Sequence, residues 1–201
     1  MPRKKSYERE KLVSRAVAVF AARGYQAAST EALVHALGVN RNSVYAEFGS
    51  KEGLFVAALD RYEREVVDGL LGPLEAADAG LDAVVRFFHA LGDAAEHSVG
   101  LGCLMCNTAA ELGGAAPTLQ PIVERHFDRM HRAILNALHG AIERGQMPAS
   151  QDAATEARFI AATSVGICVM VRAGLPARVA HEAIAGGLAH LEALRRMKVL
   201  N

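Results

Sequence analysis

Apolar residues return every three or four positions along almost the whole chain, as in Leu12, Val13, Ala16, Val17 and Phe20, and branched aliphatics nowhere alternate with polar residues for long. A period of 3.6 without a period of two predicts an all-α protein. Glycine and proline divide the pattern at Gly24, Gly38, Gly49, Gly72 with Pro73, Gly113 with Gly114, Gly145 to Pro148, and Gly174 to Pro176. Glycine ends helices in the left-handed conformation and proline cannot continue them. The pattern between these breaks predicts about nine helices, at 7–23, 30–37, 41–48, 51–71, 81–97, 104–112, 118–144, 153–173 and 177–197.

Segment length then divides the chain. Before Gly49 the helices that follow the first are short and tightly joined, whereas most later ones are long and rich in Ala, Leu and Val, as in a helical bundle. The expected boundary lies at the start of the helix near Lys51, with an N-terminal domain over 1–52 and a second over 53–201.

The stretch from Ser29 to Phe48, STEALVHALGVNRNSVYAEF, carries the local grammar of a helix-turn-helix. Leu33, Val34, Leu37, Val39, Val44 and Phe48 are placed to share one small core. Gly38 suits a turn of positive φ, Ser29 or Thr30 can cap the first helix, and Asn40 the second. The outward positions of the second helix are Arg41, Asn42, Ser43 and Tyr45. Arginine can bond guanine bidentately and asparagine adenine, while serine and tyrosine reach sugar and phosphate. Lys51 begins the next helix, whose free N–H groups and adjacent ammonium suit a phosphate.

Charge supports that reading. The chain is neutral overall, yet through Lys51 it carries nine Lys and Arg against four Glu, and the remainder 13 basic residues against 18 acidic. Such asymmetry suggests that one end faces a polyanion. No apolar run reaches the length expected of a membrane span, and the basic start leads into a polar helix, so the reading places the protein in the cytoplasm, off the membrane. Gly-rich phosphate loops, G-x-S-x-G and H-E-x-x-H are absent, and His126, Asp128 and Glu111 form no established pattern, so no enzyme and no cofactor are expected.

From Gly24 to Phe55, GYQAASTEALVHALGVNRNSVYAEFGSKEGLF resembles the DNA-binding domain of TetR-family regulators, most specifically in VYAEFGSKEGLF. The resemblance implies that Tyr45 and Lys51 touch the DNA backbone and that Thr30, Arg41, Asn42 and Ser43 lie at the interface. Asn40 stands where serine is common, and His35 departs from the usual residue, which leaves the operator sequence open. The segments GCLMCNTAAEL and ERGQMP, with the long helix ending VRAGL, resemble one large subgroup of the same family. What this implies is a ligand-responsive regulator, a repressor by the commoner outcome. It would bind a palindromic double-stranded operator as a homodimer paired through its last two long helices, and be released by a small-molecule effector.

Candidate cavity residues are Phe87, Phe88, Leu91, Phe127, Met130, His131, Phe159, Thr163 and Met170, apolar positions with a few polar ones on the central helices. Cys103 and Cys106 form a C-x-x-C at a helix start, with Cys168 elsewhere. A helix N-terminus lowers thiol pKa, so oxidant or electrophile sensing is the alternative to a reversible effector. His97, His126 and His131 match no standard zinc spacing, and no metal is expected. The remaining rival is a helical interaction protein that does not bind DNA. Steep salt dependence of DNA binding would distinguish it.

Overall fold

The computed structural model describes residues 2–98, 100–112 and 116–197. Among the described residues it contains nine helices and no strand, in the order the pattern predicts. They are α1 (Pro2–Ala27), α2 (Thr30–Leu37), α3 (Arg41–Phe48), α4 (51–75), α5 (Leu81–His97), α6 (Leu104–Leu112), α7 (Gln120–Glu143), α8 (Ala153–Arg172) and α9 (Ala177–Met197). The expected break at Gly113 and Gly114 lies outside the described residues.

Two of these helices depart from expectation. The first begins at Pro2 rather than near Tyr7, and its break at Gly24 (φ 77°, ψ 177°) is followed by a further short turn. Proline suits the first helical position, where its missing N–H costs nothing. The fourth continues past Gly72 and Pro73 to Glu75, so those residues do not end it. It runs as α-helix Lys51–Tyr62, one π turn Glu63–Val67 and α-helix Asp68–Glu75. Asn136 of α7 donates its amide to the carbonyls of Leu74 and Ala76, which the helix C-terminus leaves without intrahelical partners.

Two apolar clusters hold the molecule. One joins Phe20, Leu33, Leu37, Val44, Leu54, Phe55 and Leu59 of α1 to α4 with Leu104, Met105 and Leu112 of α6. The Phe20 and Phe55 rings meet edge to face at 4.6 Å. The other fills the bundle of α4, α5, α7, α8 and α9 with Leu71, Leu74, Val84, Phe87, Phe88, Ile134, Leu138, Ile160, Ile167, Ile184 and Leu191. Arg129 of α7 pins the π turn through Glu63, Asp68 and Glu75 of α4. Glu156 of α8 and His190 of α9 hydrogen-bond at 2.6 Å.

By length and composition alone α8 could cross a membrane, contrary to the expectation that no segment reaches that size. Its apolar character serves two sides of one helix. Ile160, Ser164, Ile167 and Val171 face the bundle, while Phe159 and Val169 are 48% and 52% exposed.

Candidate functional site

The helix-turn-helix is built by caps that the sequence makes locally available. The Ser29 hydroxyl accepts from the Ala32 N–H, and Gly38, at φ 70°, returns its N–H to the Val34 carbonyl. The Asn40 side-chain oxygen accepts from both the Ser43 N–H at 2.8 Å and the Ser43 hydroxyl at 3.1 Å. Ser50 caps α4 through the Gly53 N–H. With Leu33, Leu37 and Val44 buried, α3 is left with Arg41, Asn42 and Ser43 exposed along its first turn.

These side chains form a connected polar face. The Arg41 guanidinium donates to the Tyr45 hydroxyl at 3.2 Å and lies 5.3 Å from the centre of its ring. Hydrogen bonds from Arg41 and then Thr30 lower the Tyr45 pKa, and the Tyr45 hydroxyl raises that of Arg41. Thr30, Arg41 and Tyr45 therefore act as one group. Lys51 stands 4.5 Å over the Tyr25 ring and donates to the Gln26 carbonyl at 3.4 Å. Burial lowers its pKa against the opposing pull of Glu111.

A second feature lies inside the bundle. A cavity of about 420 Å³ opens among α4, α5, α6, α7 and α8, its walls mostly apolar. Phe87, Leu91 and Met130 line it, as do Cys103 and Cys106. The other expected lining residues are placed elsewhere. Phe88 is in the bundle core with no exposed surface, and Phe127 packs against that core. Phe159 looks outward with Thr163, whose hydroxyl donates to the Phe159 carbonyl, and Met170 is half-buried off the cavity wall. His131 is likewise outside the lining, and its Nε2 is buried without a hydrogen-bond partner.

Residues that sequence reasoning missed make up the rest of the wall. The π turn of α4 helps bring Tyr62, Val66, Val67 and Leu70 to the cavity, and Cys168 arrives from α8. The three sulfur atoms lie within 4.8 Å of one another. His126 of α7 adjoins Cys103, and its Nδ1 is 3.3 Å from Glu63 Oε2. Burial opposes its charge, but hydrogen bonds with Cys103 and Glu63 outweigh that effect and push its pKa up to about 9. The Cys106 and Cys168 thiols, followed by His126, draw Cys103 well below the usual thiol range. The hydrogen bond with Cys103, then burial and the Cys103 charge, raise Cys106 and Cys168 in turn. Local spacing signalled Cys103 and Cys106; nothing local signalled Cys168 or His126 as their neighbours.

Cavity and helix-turn-helix are joined by two clamps. Glu111, on α6, accepts from the Tyr25 and Gln26 N–H groups at 2.8 and 2.6 Å, just past the Gly24 break. A Cβ on Gly24 would lie 2.5 Å from that carboxylate. Arg172, the last residue of α8, donates to the carbonyls of Ala21 at 2.7 Å and Gly100 at 3.1 Å. Glu111→Ala is expected to cost about 1–3 kcal/mol of stability, because it removes the charged acceptor of two N–H groups, the Tyr25 one part-buried. Urea unfolding measures this, and an unchanged midpoint would show that water replaces the carboxylate.

Residues 12–58 match the family model described as bacterial regulatory proteins, tetR family. Residues 80–186, more than half of the chain, match the tetracyclin repressor-like C-terminal domain. The chain belongs to the TetR family. It is 27% identical over 174 residues, 86% of this chain and 83% of the relative, to the HTH-type transcriptional repressor ComR of Escherichia coli K12. A TetR transcriptional regulator from Chloroflexus aurantiacus superposes with a TM-score of 0.82 at 28% identity, covering 94% of each chain. The TetR-family regulator CifR, a cysteine mutant solved with 26-base-pair operator DNA, superposes at 0.74 with 26% identity, covering 88% of this chain and 94% of its own. As a TetR-family member the protein is a helix-turn-helix transcriptional regulator.

Proposed function

We propose that the protein is a cytoplasmic, one-component repressor that binds a palindromic operator as a homodimer and leaves it when an effector occupies the bundle cavity. Residues 1–52 form its DNA-binding unit, and 53–201 its effector-binding and dimerisation unit. The observation that carries the reading is the exposed first turn of α3, where Arg41, Asn42 and Ser43 stand free of the core beside the Thr30–Tyr45 pair. Two such helices on a two-fold axis would enter successive major grooves about 34–36 Å apart. Lys51 exchanges its contact with the Gln26 carbonyl for a phosphate. Operator affinity should fall steeply with salt as counterions are released; an affinity indifferent to salt between 50 and 200 mM, roughly the range over which that release is felt, would favour a helical interaction protein instead.

The outer face of α8 and α9 supports the dimer. Phe159, Ala162 and Val169 on α8 and Ala185, Gly186 and Ala189 on α9 are exposed, and a Cβ on Gly166 or Gly186 would meet nothing within 4 Å. Small residues there let a second helix pair approach closely. Val169→Glu with Gly186→Glu is expected to yield monomers in sedimentation with helicity retained. A dimer that persists in that double variant would move the interface elsewhere.

The thiols favour a second reading, in which the trigger acts on the cysteines. Three thiols share the wall of an otherwise apolar cavity, and Cys103 carries the lowered pKa. Iodoacetamide at pH 7 is therefore expected to label Cys103 ahead of Cys106 and Cys168, as mass spectrometry of the reduced protein reads. Equal labelling of all three would remove the case for an activated thiol.

A further inference from the structure

The chain's three cysteines are all free and come from two helices, Cys103 and Cys106 at the start of α6 and Cys168 on α8. A buried small hydrophobe explains one such residue, but not three whose sulfur atoms lie within 4.8 Å of each other. A disulfide would use two sulfurs and strand the third. Beside Cys103 stands His126, buried, with Nδ1 facing the Glu63 carboxylate at 3.3 Å. In the tautomer that donates from Nδ1 to Glu63, Nε2 is the ring's acceptor, the carboxylate–histidine pairing that orients an imidazole toward a metal. Three sulfurs thus lie within reach of one another, and His126, hydrogen-bonded to Cys103 with a carboxylate behind it, stands beside them as the candidate fourth donor.

We propose that Cys103, Cys106, Cys168 and His126 bind one thiophilic d10 cation, zinc or cadmium in type, at the end of the cavity. Sulfur and imidazole ligands without a carboxylate in direct contact select soft and borderline ions over magnesium or calcium. Every ligand that carries a proton at its ligating atom, thiol or imidazolium, releases it to solvent on binding, so that His126 ligates in its neutral form. Metal–sulfur bonds of about 2.3 Å in a tetrahedron set sulfurs roughly 3.8 Å apart, within the 4.8 Å that bounds them here, so binding ties the start of α6 rigidly to α8. Those two helices carry the clamps on α1, Glu111 and Arg172, with Arg172 four residues beyond Cys168. Occupation of the site therefore acts on both holds of the helix-turn-helix and lowers operator affinity. The regulatory half of this inference rests on the operator-binding reading above; the site itself does not.

The test is an anaerobic titration of the reduced, metal-free full-length protein with cadmium, followed by the cadmium–thiolate charge-transfer absorption and by affinity for the selected operator. The expected band saturates at about one cadmium per chain with the intensity of about three thiolates, and loses about a third of that intensity in Cys168→Ser. One equivalent of cadmium is expected to weaken operator binding about tenfold or more, and this effect is absent from Cys168→Ser. A wild-type band with the intensity of two thiolates or fewer overturns the site without reference to any variant. So does a band that Cys168→Ser leaves unchanged. A full three-thiolate band with unaltered operator affinity overturns the coupling to DNA. Metal-free protein that binds no DNA would instead contradict the operator reading, while the band still decides the site.

Discussion

Phe88→Ala lowers the free energy of unfolding by about 3–5 kcal/mol, the loss typical of a fully buried aromatic that leaves a cavity behind. Phe88 has no exposed surface and sits where α5 crosses α9. The two helices approach there because α9 offers Gly187, and a Cβ on that glycine would come within 2.7 Å of the ring. The surrounding helices also carry the Glu156–His190 hydrogen bond and the α8–α9 pairing, so the void cannot close without moving them. Urea unfolding at fixed protein concentration measures the effect, since dimerisation would otherwise shift the apparent stability. A loss below about 1 kcal/mol would mean that the site collapses onto a smaller side chain, well below the usual range for such a deletion. Gly187→Ala should destabilise the same contact from the other side.

Arg41→Ala weakens specific operator binding by about 1–3 kcal/mol, roughly 5- to 150-fold, if its guanidinium reads a base edge. Its fold should survive, because the α3 cap comes from Asn40 and the helix is held by buried Val44. Removing Arg41 also frees the Tyr45 hydroxyl from its nearest cation, so part of the loss is positional. Tyr45→Phe separates the two contributions, since it keeps the ring and removes the hydroxyl. A base contact predicts that Arg41→Ala loses discrimination between operator and random DNA. A phosphate contact predicts a uniform loss on both, with a shallower salt dependence. Fluorescence anisotropy with both DNAs reads these outcomes, and unchanged affinity on both would remove Arg41 from the interface.

What was legible in the sequence was local. Ser29, Gly38 and Asn40 act on backbone groups within four residues, so their caps and turn are visible as spacing. Helix count and order followed from the apolar period. What remained hidden depends on contacts between distant segments. The Glu111 carboxylate serves N–H groups 85 and 86 residues away, and no periodicity announces such a partner. Cys168 reaches Cys106 and Cys103 only because α8 packs beside α6, which turns a two-cysteine motif into a three-thiol cluster. The cavity residues were the least legible, for a geometric reason. A helix such as α8 has one apolar side facing the bundle and another facing outward, and a stripe of hydrophobic positions does not say which is which. Phe159 was thus expected inside and is exposed, while Phe87, Leu91 and Met130 reach the cavity. The π turn in α4, which changes the face a helix presents midway along it, has no sequence signature among these residues.

The link between cavity and DNA-binding unit now has named atoms. Glu111 and Arg172 hold the end of α1 from two helices that also meet at the cysteines, so any occupant that shifts α6 against α8 acts on both holds. In the proposed homodimer, such an occupant would act on DNA by shifting the population between arrangements of the paired recognition helices.

The most direct test of the central claim is selection of random-sequence duplex DNA on the purified, reduced, effector-free protein, repeated with the Arg41→Ala and Tyr45→Ala variants. The account predicts an enriched palindrome whose half-sites are about one helical turn apart, with the enrichment lost in both variants. No enrichment, or a palindrome that both variants recover equally well, would contradict it.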